Sequence, residues 1–177
     1  MNPYFKETVE TKEISRPEKP KLSTAFENEK KSDVRPVRIL EPNLNADLAG
    51  KRHPITGIKF ETKDIRHGKE IIRGVFPQFE GKDVERLPRN MYMASDSQQF
   101  SYCVKNLGQK LEQNPALAEK FTPRQLEQIR DGAPRISGLT WHHTEHPGRM
   151  QLVDAEIHSK TGHTSGRKIW GGGSECR

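Results

Sequence analysis

The sequence predicts an α+β fold: a small β-hairpin, then helices, then a compact strand–turn–strand–helix unit near the C-terminal end. Three observations predict it. Apolar and β-branched residues gather in two short runs between residues 58 and 76, and apolar residues recur at helical spacing from Phe100 to Leu111. Five of the seven histidines fall between His142 and His163, on a pattern of two strands and a helix.

The first 50 residues read as a disordered linker segment. The stretch from Pro17 to Lys21 and the run from Glu27 to Lys31 carry almost no apolar periodicity, and prolines recur at Pro3, Pro17, Pro20, Pro36 and Pro42. Such a segment buries too little apolar surface to offset its ordering entropy. A short extended piece around Val34–Leu40 has the pattern to dock on a domain but is assigned with the rest of the segment. The predicted domain is 51–177. It begins near His53-Pro54-Ile55-Thr56-Gly57, with a strand through Ile58, Phe60 and Ile65. Glu70 to Phe76 forms the second strand, the hairpin turns near His67-Gly68, and Pro77 ends it.

The helices follow. Asp96 is a fair N-cap, and Phe100, Val104, Leu107 and Leu111 make one apolar stripe on a helix from about 96 to 113. Asn114-Pro115 stops it, and a short helical turn follows at Ala116–Lys120. Thr122, Pro123 and Gln125 are N-cap, first position and third position of a capped helix, in which Leu126 and Ile129 face inward and Gly132 terminates. These helices are scaffold.

The last third carries the chemistry. Gly138 to Thr144 alternates as a strand, Glu145 to Arg149 is a turn by composition, and Met150 to Val153 is the returning strand. Asp154 caps a short helix from Ala155 to about Lys160 that carries His158, and Gly162 can swing His163 back toward it. Neighbouring strand residues point to opposite faces, so His142 and His143 do not easily serve one role. Three imidazoles with open positions make a catalytic metal centre, not a closed structural one. A fourth histidine outside the shell can stay neutral near pH 7 and deprotonate a water. Arg149 and Arg167 lie close in sequence and are suited to offset charge at a phosphorane.

Charge and cysteine usage narrow the partners. Residues 1–50 hold nine Lys/Arg against nine Asp/Glu, whereas the remainder holds 21 against 15 and carries the whole net charge of +6. A basic C-terminal region suits nucleic acid, although an excess this small equally suits plain solubility. Cys103 and Cys176 have no paired spacing, which argues against a disulfide framework or a cysteine-type zinc site. No stretch approaches the roughly 18 apolar residues of a membrane span. The first residues show no apolar core of a signal peptide, so export would follow a route not encoded here or proceed as part of something larger.

The pattern resembles the HNH/endonuclease VII superfamily, specifically its WHH branch. The residues that carry the resemblance are Trp141-His142-His143, Met150 to Val153, Ile157-His158 and Gly162 to Gly166, with the tail Ile169 to Gly173. Gly74 to Pro77 and the Gln125 to Ile129 helix look like pieces seen with it, so the resemblance spans roughly 52–173. It implies a ββα-metal (His-Me finger) module and a metal-dependent endonuclease. His142, His158 and His163 would hold one divalent ion, His143 would be the general base, and Arg149 would join it in catalysis. It also implies a bacterial antagonistic toxin domain acting on DNA, or on RNA, in a bacterial cytoplasm after delivery as a secreted toxin, and neutralised by a cognate immunity protein. A histidine-rich shell favours Zn²⁺ or Ni²⁺ by affinity, whereas turnover in the class can use Mg²⁺ or Mn²⁺. One departure matters. The usual middle Asn has no counterpart between Val153 and Ile157, leaving Asp154 or a backbone carbonyl to stand in, and the split of roles between His142 and His143 stays open.

Plainer readings apply to the neighbours. Trp141 is expected in the core, His146 solvated or facing substrate, His53 and His67 structural, Glu145 an exposed turn acid, and Gly171–Gly173 a flexible tail. A competing reading of the whole is a zinc-stapled module that grips nucleic acid without cutting it.

Overall fold

The fold is that of a computed structural model, which describes residues 35–176. Two three-stranded sheets and four α-helices make up the described part. Strand β1 spans Val37–Ile39, β2 Phe60–His67 and β3 Glu70–Pro77, and the first sheet has the order β1-β3-β2. The β2–β3 hairpin turns where the sequence predicts. Its two-residue loop opens on Gly68, whose φ of 60° is the conformation that a tight hairpin demands and that glycine adopts without strain.

Strand β1 departs from expectation. Residues 35–50 were expected within the disordered segment, yet Val37–Ile39 pair parallel with Ile71–Arg73, and Ala46–Leu48 form a 3₁₀ turn. Residues 1–34, the rest of that segment, lie outside the described residues. Apolar burial does not hold β1, since Val37 and Ile39 are exposed. Backbone pairing holds it, aided by buried Leu40 and by Asn43, whose side chain accepts from Val75 N at 2.6 Å and donates to Val75 O at 3.1 Å. Composition registers apolar content, not main-chain pairing with a distant strand.

The second sheet positions the histidines. Strand β4 spans Asp83–Arg86, β5 Leu139–His143 and β6 Arg149–Asp154, in the order β4-β6-β5 with all neighbours antiparallel. The pattern of the sequence does not reveal β4, because Asp-Val-Glu-Arg alternates the wrong way: Val84 is exposed and Glu85 is buried. Glu85 is tied there by Lys110, 2.6 Å away.

Helix α1 (Asp96–Gln113) packs with this sheet around Leu87, Cys103, Val104, Leu107, Trp141, Met150 and Leu152. Its cap is Ser95 rather than Asp96: Ser95 and Gln98 form a reciprocal capping box, and Asp96 is free to face the histidines. The buried stripe is Gln99, Cys103, Val104 and Leu107, rotated slightly from the predicted one, so that Phe100 and Leu111 lie at its edges. Helix α2 (Pro123–Arg130) has the predicted Thr122–Gln125 capping box, and Ile129 is buried. Helix α3 (Ala155–Lys160) starts at the predicted cap, where Asp154 accepts from Ile157 N at 2.8 Å. A further short helix, α4 (Gly166–Trp170), folds the tail back beneath β5. Among the described residues, no helix is long and apolar enough to cross a membrane.

Candidate metal centre

The histidines are delivered by three consecutive local structures. Strand β5 carries His142 and His143, helix α3 carries His158, and the loop after it carries His163. Alternation along β5 sends His142 to the face shared with Gln151 and His143 to the core face shared with Met150. β5 is an edge strand, so both rings still reach one cavity of about 260 Å³. Asp96, Arg135, Thr140, Ser165 and Arg167 also line it, with His158.

His142, His158 and His163 converge. Nδ1 of His142 lies 3.2 Å from Nε2 of His158 and 3.3 Å from Nε2 of His163. One ring nitrogen from each of the three lies within 4.8 Å of the others, and this trio is the group of His, Cys, Asp or Glu side chains able to hold a metal among the described residues. Two imidazole nitrogens bound to one tetrahedral ion at 2.0–2.1 Å lie about 3.3 Å apart, so the two closest spacings suit such an ion. His163 Nδ1–H donates to Thr161 O at 2.6 Å, which fixes the tautomer and turns the Nε2 lone pair inward. Phe79 packs on all three rings, with centroids 4.9–5.4 Å away, and covers one side of the group.

The electrostatics favour neutral, ligating imidazoles. Burial holds His142 well below the usual histidine range, and the neighbouring His163, His158 and His143 push the same way. Burial, then His163, brings His158 down to about 4. Burial lowers His163 as well, against the opposing Thr161 carbonyl. Neutral rings with free lone pairs are what a metal requires.

His143 stands apart from this trio. Its Nε2 lies 2.6 Å from Gln99 Oε1 and 3.7 Å from Asp96 Oδ1. Arg167 Nη1 donates to the same Gln99 oxygen at 3.1 Å, both terminal nitrogens donate to Ala94 O, and Nη2 lies 3.4 Å from Asp96 Oδ1. Trp170 Nε1 donates to Thr144 O at 2.9 Å and locks α4 beneath the end of β5. That lock depends on Gly166, where a Cβ would run into both Thr144 O and Trp170 Nε1.

A family model described as the DNase/tRNase domain of colicin-like bacteriocin matches residues 68–165, more than half the chain. The chain belongs to that family. It is thus a nuclease toxin domain, and its substrate is nucleic acid. The matched stretch of this chain includes all five clustered histidines and Gln99, and stops just before Arg167. No curated protein and no solved structure matches the chain.

The remaining predicted residues fall elsewhere. Arg149 opens β6 opposite Arg86 and does not line the histidine cavity. The cationic side chains at that cavity belong to Arg167 and Arg135. Glu145 is not an exposed turn acid: it is buried and takes Lys63 of β2 at 2.6 Å, because the turn folds against the first sheet. His146 is half-exposed and lies 3.6 Å from Glu145. His53 is structural, its Nδ1 accepting weakly from Ile55 N and Thr56 N. Trp141 is in the core. Gln99 and Phe79 were absent from the predicted site. Gln99 had a legible signal, a polar side chain four residues before Cys103 and eight before Leu107 on the buried stripe. Phe79 is a single aromatic in a loop and had none.

Proposed function

We propose that this bacteriocin nuclease domain is a metal-dependent DNA endonuclease built on a ββα-metal module of the HNH type. The observation that carries the reading is the convergence of the His142, His158 and His163 ring nitrogens, next to a cavity that His142 and His158 share with His143 and Arg167. His142, His158 and His163 would hold a divalent ion. Bound there, the ion supplies a Lewis acid that polarises the scissile phosphate and stabilises the departing oxygen.

The chain's own residues do the rest. His143 takes a proton from the attacking water, whose oxygen forms the new bond to phosphorus as the P–O bond to the leaving sugar oxygen breaks. Arg167, held rigidly by Ala94 O, Asp96 and Gln99, offsets the negative charge that accumulates on the phosphorane. In this scheme Arg149 acts at most on flanking phosphates. Phe79 packs against the three ligand rings and limits their movement.

The family description covers both DNA and tRNA cleavage. RNA can be cut through its own 2′-OH without a metal, so three imidazoles aimed at one point favour DNA. A cognate immunity protein is the partner that such a toxin requires in its producer.

The test is plasmid and tRNA cleavage by the full chain with Mg²⁺, Mn²⁺, Ni²⁺ or Zn²⁺, with EDTA, and beside His143→Ala. Plasmid cleavage that needs metal and falls at least a hundred-fold in the folded variant is the expected result. EDTA-resistant tRNA cleavage with an intact plasmid would move the assignment to a tRNase. Tight metal binding with no cleavage of either substrate would favour the zinc-stapled binding module.

A further inference from the structure

We infer that Gln99 is the positioning residue of the general base: it fixes His143 as the Nε2–H tautomer and leaves Nδ1 as the nitrogen that accepts the proton. This rests on the reading of His143 as the base, although the tautomer itself can be read without any catalysis.

The argument starts from the amide. Gln99 is completely buried on α1, and its Nε2 donates to two main-chain carbonyls, Met91 O at 2.7 Å and Tyr92 O at 2.9 Å. Carbonyls only accept, so the amide has one satisfactory orientation, with Oε1 turned to the cavity. An oxygen there can only accept, and it faces His143 Nε2 at 2.6 Å. The imidazole must therefore carry its proton on Nε2. The Asp96 carboxylate, 3.7 Å from the same nitrogen, favours the same proton placement electrostatically. A neutral ring protonated on Nε2 has its lone pair on Nδ1.

The same oxygen also accepts from Arg167 Nη1 at 3.1 Å. One atom thereby sets the relative placement of the proton acceptor and of the cation for the phosphorane, two groups separated by 24 residues of sequence. The chain shows no asparagine in the segment between Val153 and Ile157 where the HNH pattern keeps one. A side chain from α1, 44 residues before the base, supplies the orienting contact instead.

The experiment is ¹⁵N NMR of the histidine-labelled full chain at pH 8, with the His143 ring signals assigned by their loss in His143→Ala, and steady-state DNA cleavage by Gln99→Met and Gln99→Glu. The wild type is expected to show an Nε2–H tautomer for His143. Gln99→Met fills the space without an acceptor; it should mix the two tautomers and lower kcat roughly ten- to a hundred-fold with KM within about two-fold. Gln99→Glu keeps an oxygen toward His143 and Arg167 but turns its second oxygen on the Met91 and Tyr92 carbonyls, so it should lose stability while the folded fraction retains the tautomer and most of kcat. An Nδ1–H tautomer in the wild type overturns the inference, whether or not the chain cuts DNA. So does a Gln99→Met protein whose tautomer and kcat are both unchanged. Should Gln99→Met not fold, the wild-type tautomer and Gln99→Glu decide it. A chain that shows the Nε2–H tautomer but never cleaves nucleic acid would sink the nuclease scheme and leave the Gln99 contact standing.

Discussion

At the scale of single residues, His142, His158 and His163 make the metal-free protein sensitive to acid. Each is lowered from the ordinary value of 6.5, and His158 lies at about 4. The sign follows from proton counting. Between 6.5 and about 4 the unfolded chain binds protons that the folded chain refuses, so stability falls with pH across that window. Above 6.5 both states are neutral and the effect vanishes; below about 4, the His158 contribution is fully lost. Thermal melts in EDTA are expected to hold a constant midpoint from pH 8 to 7 and to drop steadily from pH 6.5 toward 4. His158→Gln should flatten part of that drop, and an unchanged slope would mean that the ring is not shielded from protons. Saturating Zn²⁺ should raise the midpoint at pH 7 and lose its effect toward pH 5, because protons and metal compete for the same lone pairs.

At the scale of elements, the short helix α4 does more than its five residues suggest. It brings Arg167 beneath α1 and seats Trp170 on Thr144 O, and both depend on the close approach of Gly166 to the end of β5. Gly166→Ala is expected to push α4 off β5, at a cost of roughly 1–3 kcal/mol, and to lower cleavage far more than it lowers metal affinity. Calorimetric metal titration beside a cleavage assay separates the two; equal losses in both would place α4 in the folding of the trio itself. The elements differ in how far the sequence exposed them. The hairpin, α1, α2 and the strand–turn–strand–helix order over 139–160 were legible, because period-2 and period-3.6 apolar patterns and the Thr122 and Asp154 caps are local signals. Strands β1 and β4 were not: one is exposed on its apolar residues, and the other buries a glutamate on a lysine of α1. The histidine trio was visible as a cluster in sequence. Phe79 joins it only through tertiary packing, which no local pattern encodes, whereas Gln99 left one trace, a polar side chain on the buried stripe of α1.

At the scale of the whole described fold, the segment before residue 51 braces the loop that carries His163 into the histidine trio. Leu44 N donates to Thr164 Oγ1 at 3.0 Å, Asn45 donates to Gly162 O, and Lys168 donates to the carbonyls of Glu41 and Pro42. These bonds enclose the loop that holds His163 on both sides of it. A chain trimmed to begin at Lys51 keeps every histidine and loses every one of these braces. Its affinity for Zn²⁺ is expected to fall roughly ten-fold against a chain trimmed to begin at Asp33, as the loop must be ordered when the ion binds. Equal affinities by isothermal titration would show that α3 alone holds His163 in place.

The spacing of the site along the chain also sets an order of events in time. His142 and His163, the outer members of the trio, are 21 residues apart, whereas His143 is 44 residues from Gln99 and Arg167 is 68. Closing a short loop is faster and loses less entropy than closing a long one. Were the trio to hold an ion, a newly folding chain could capture it with the last third alone, and that capture would favour the strands and helix around it. His143 and Arg167 would be clamped by Gln99 only when α1 arrives. In the proposed scheme metal uptake would come first and cutting competence last, and the chain would pass through a loaded state that does not yet cleave.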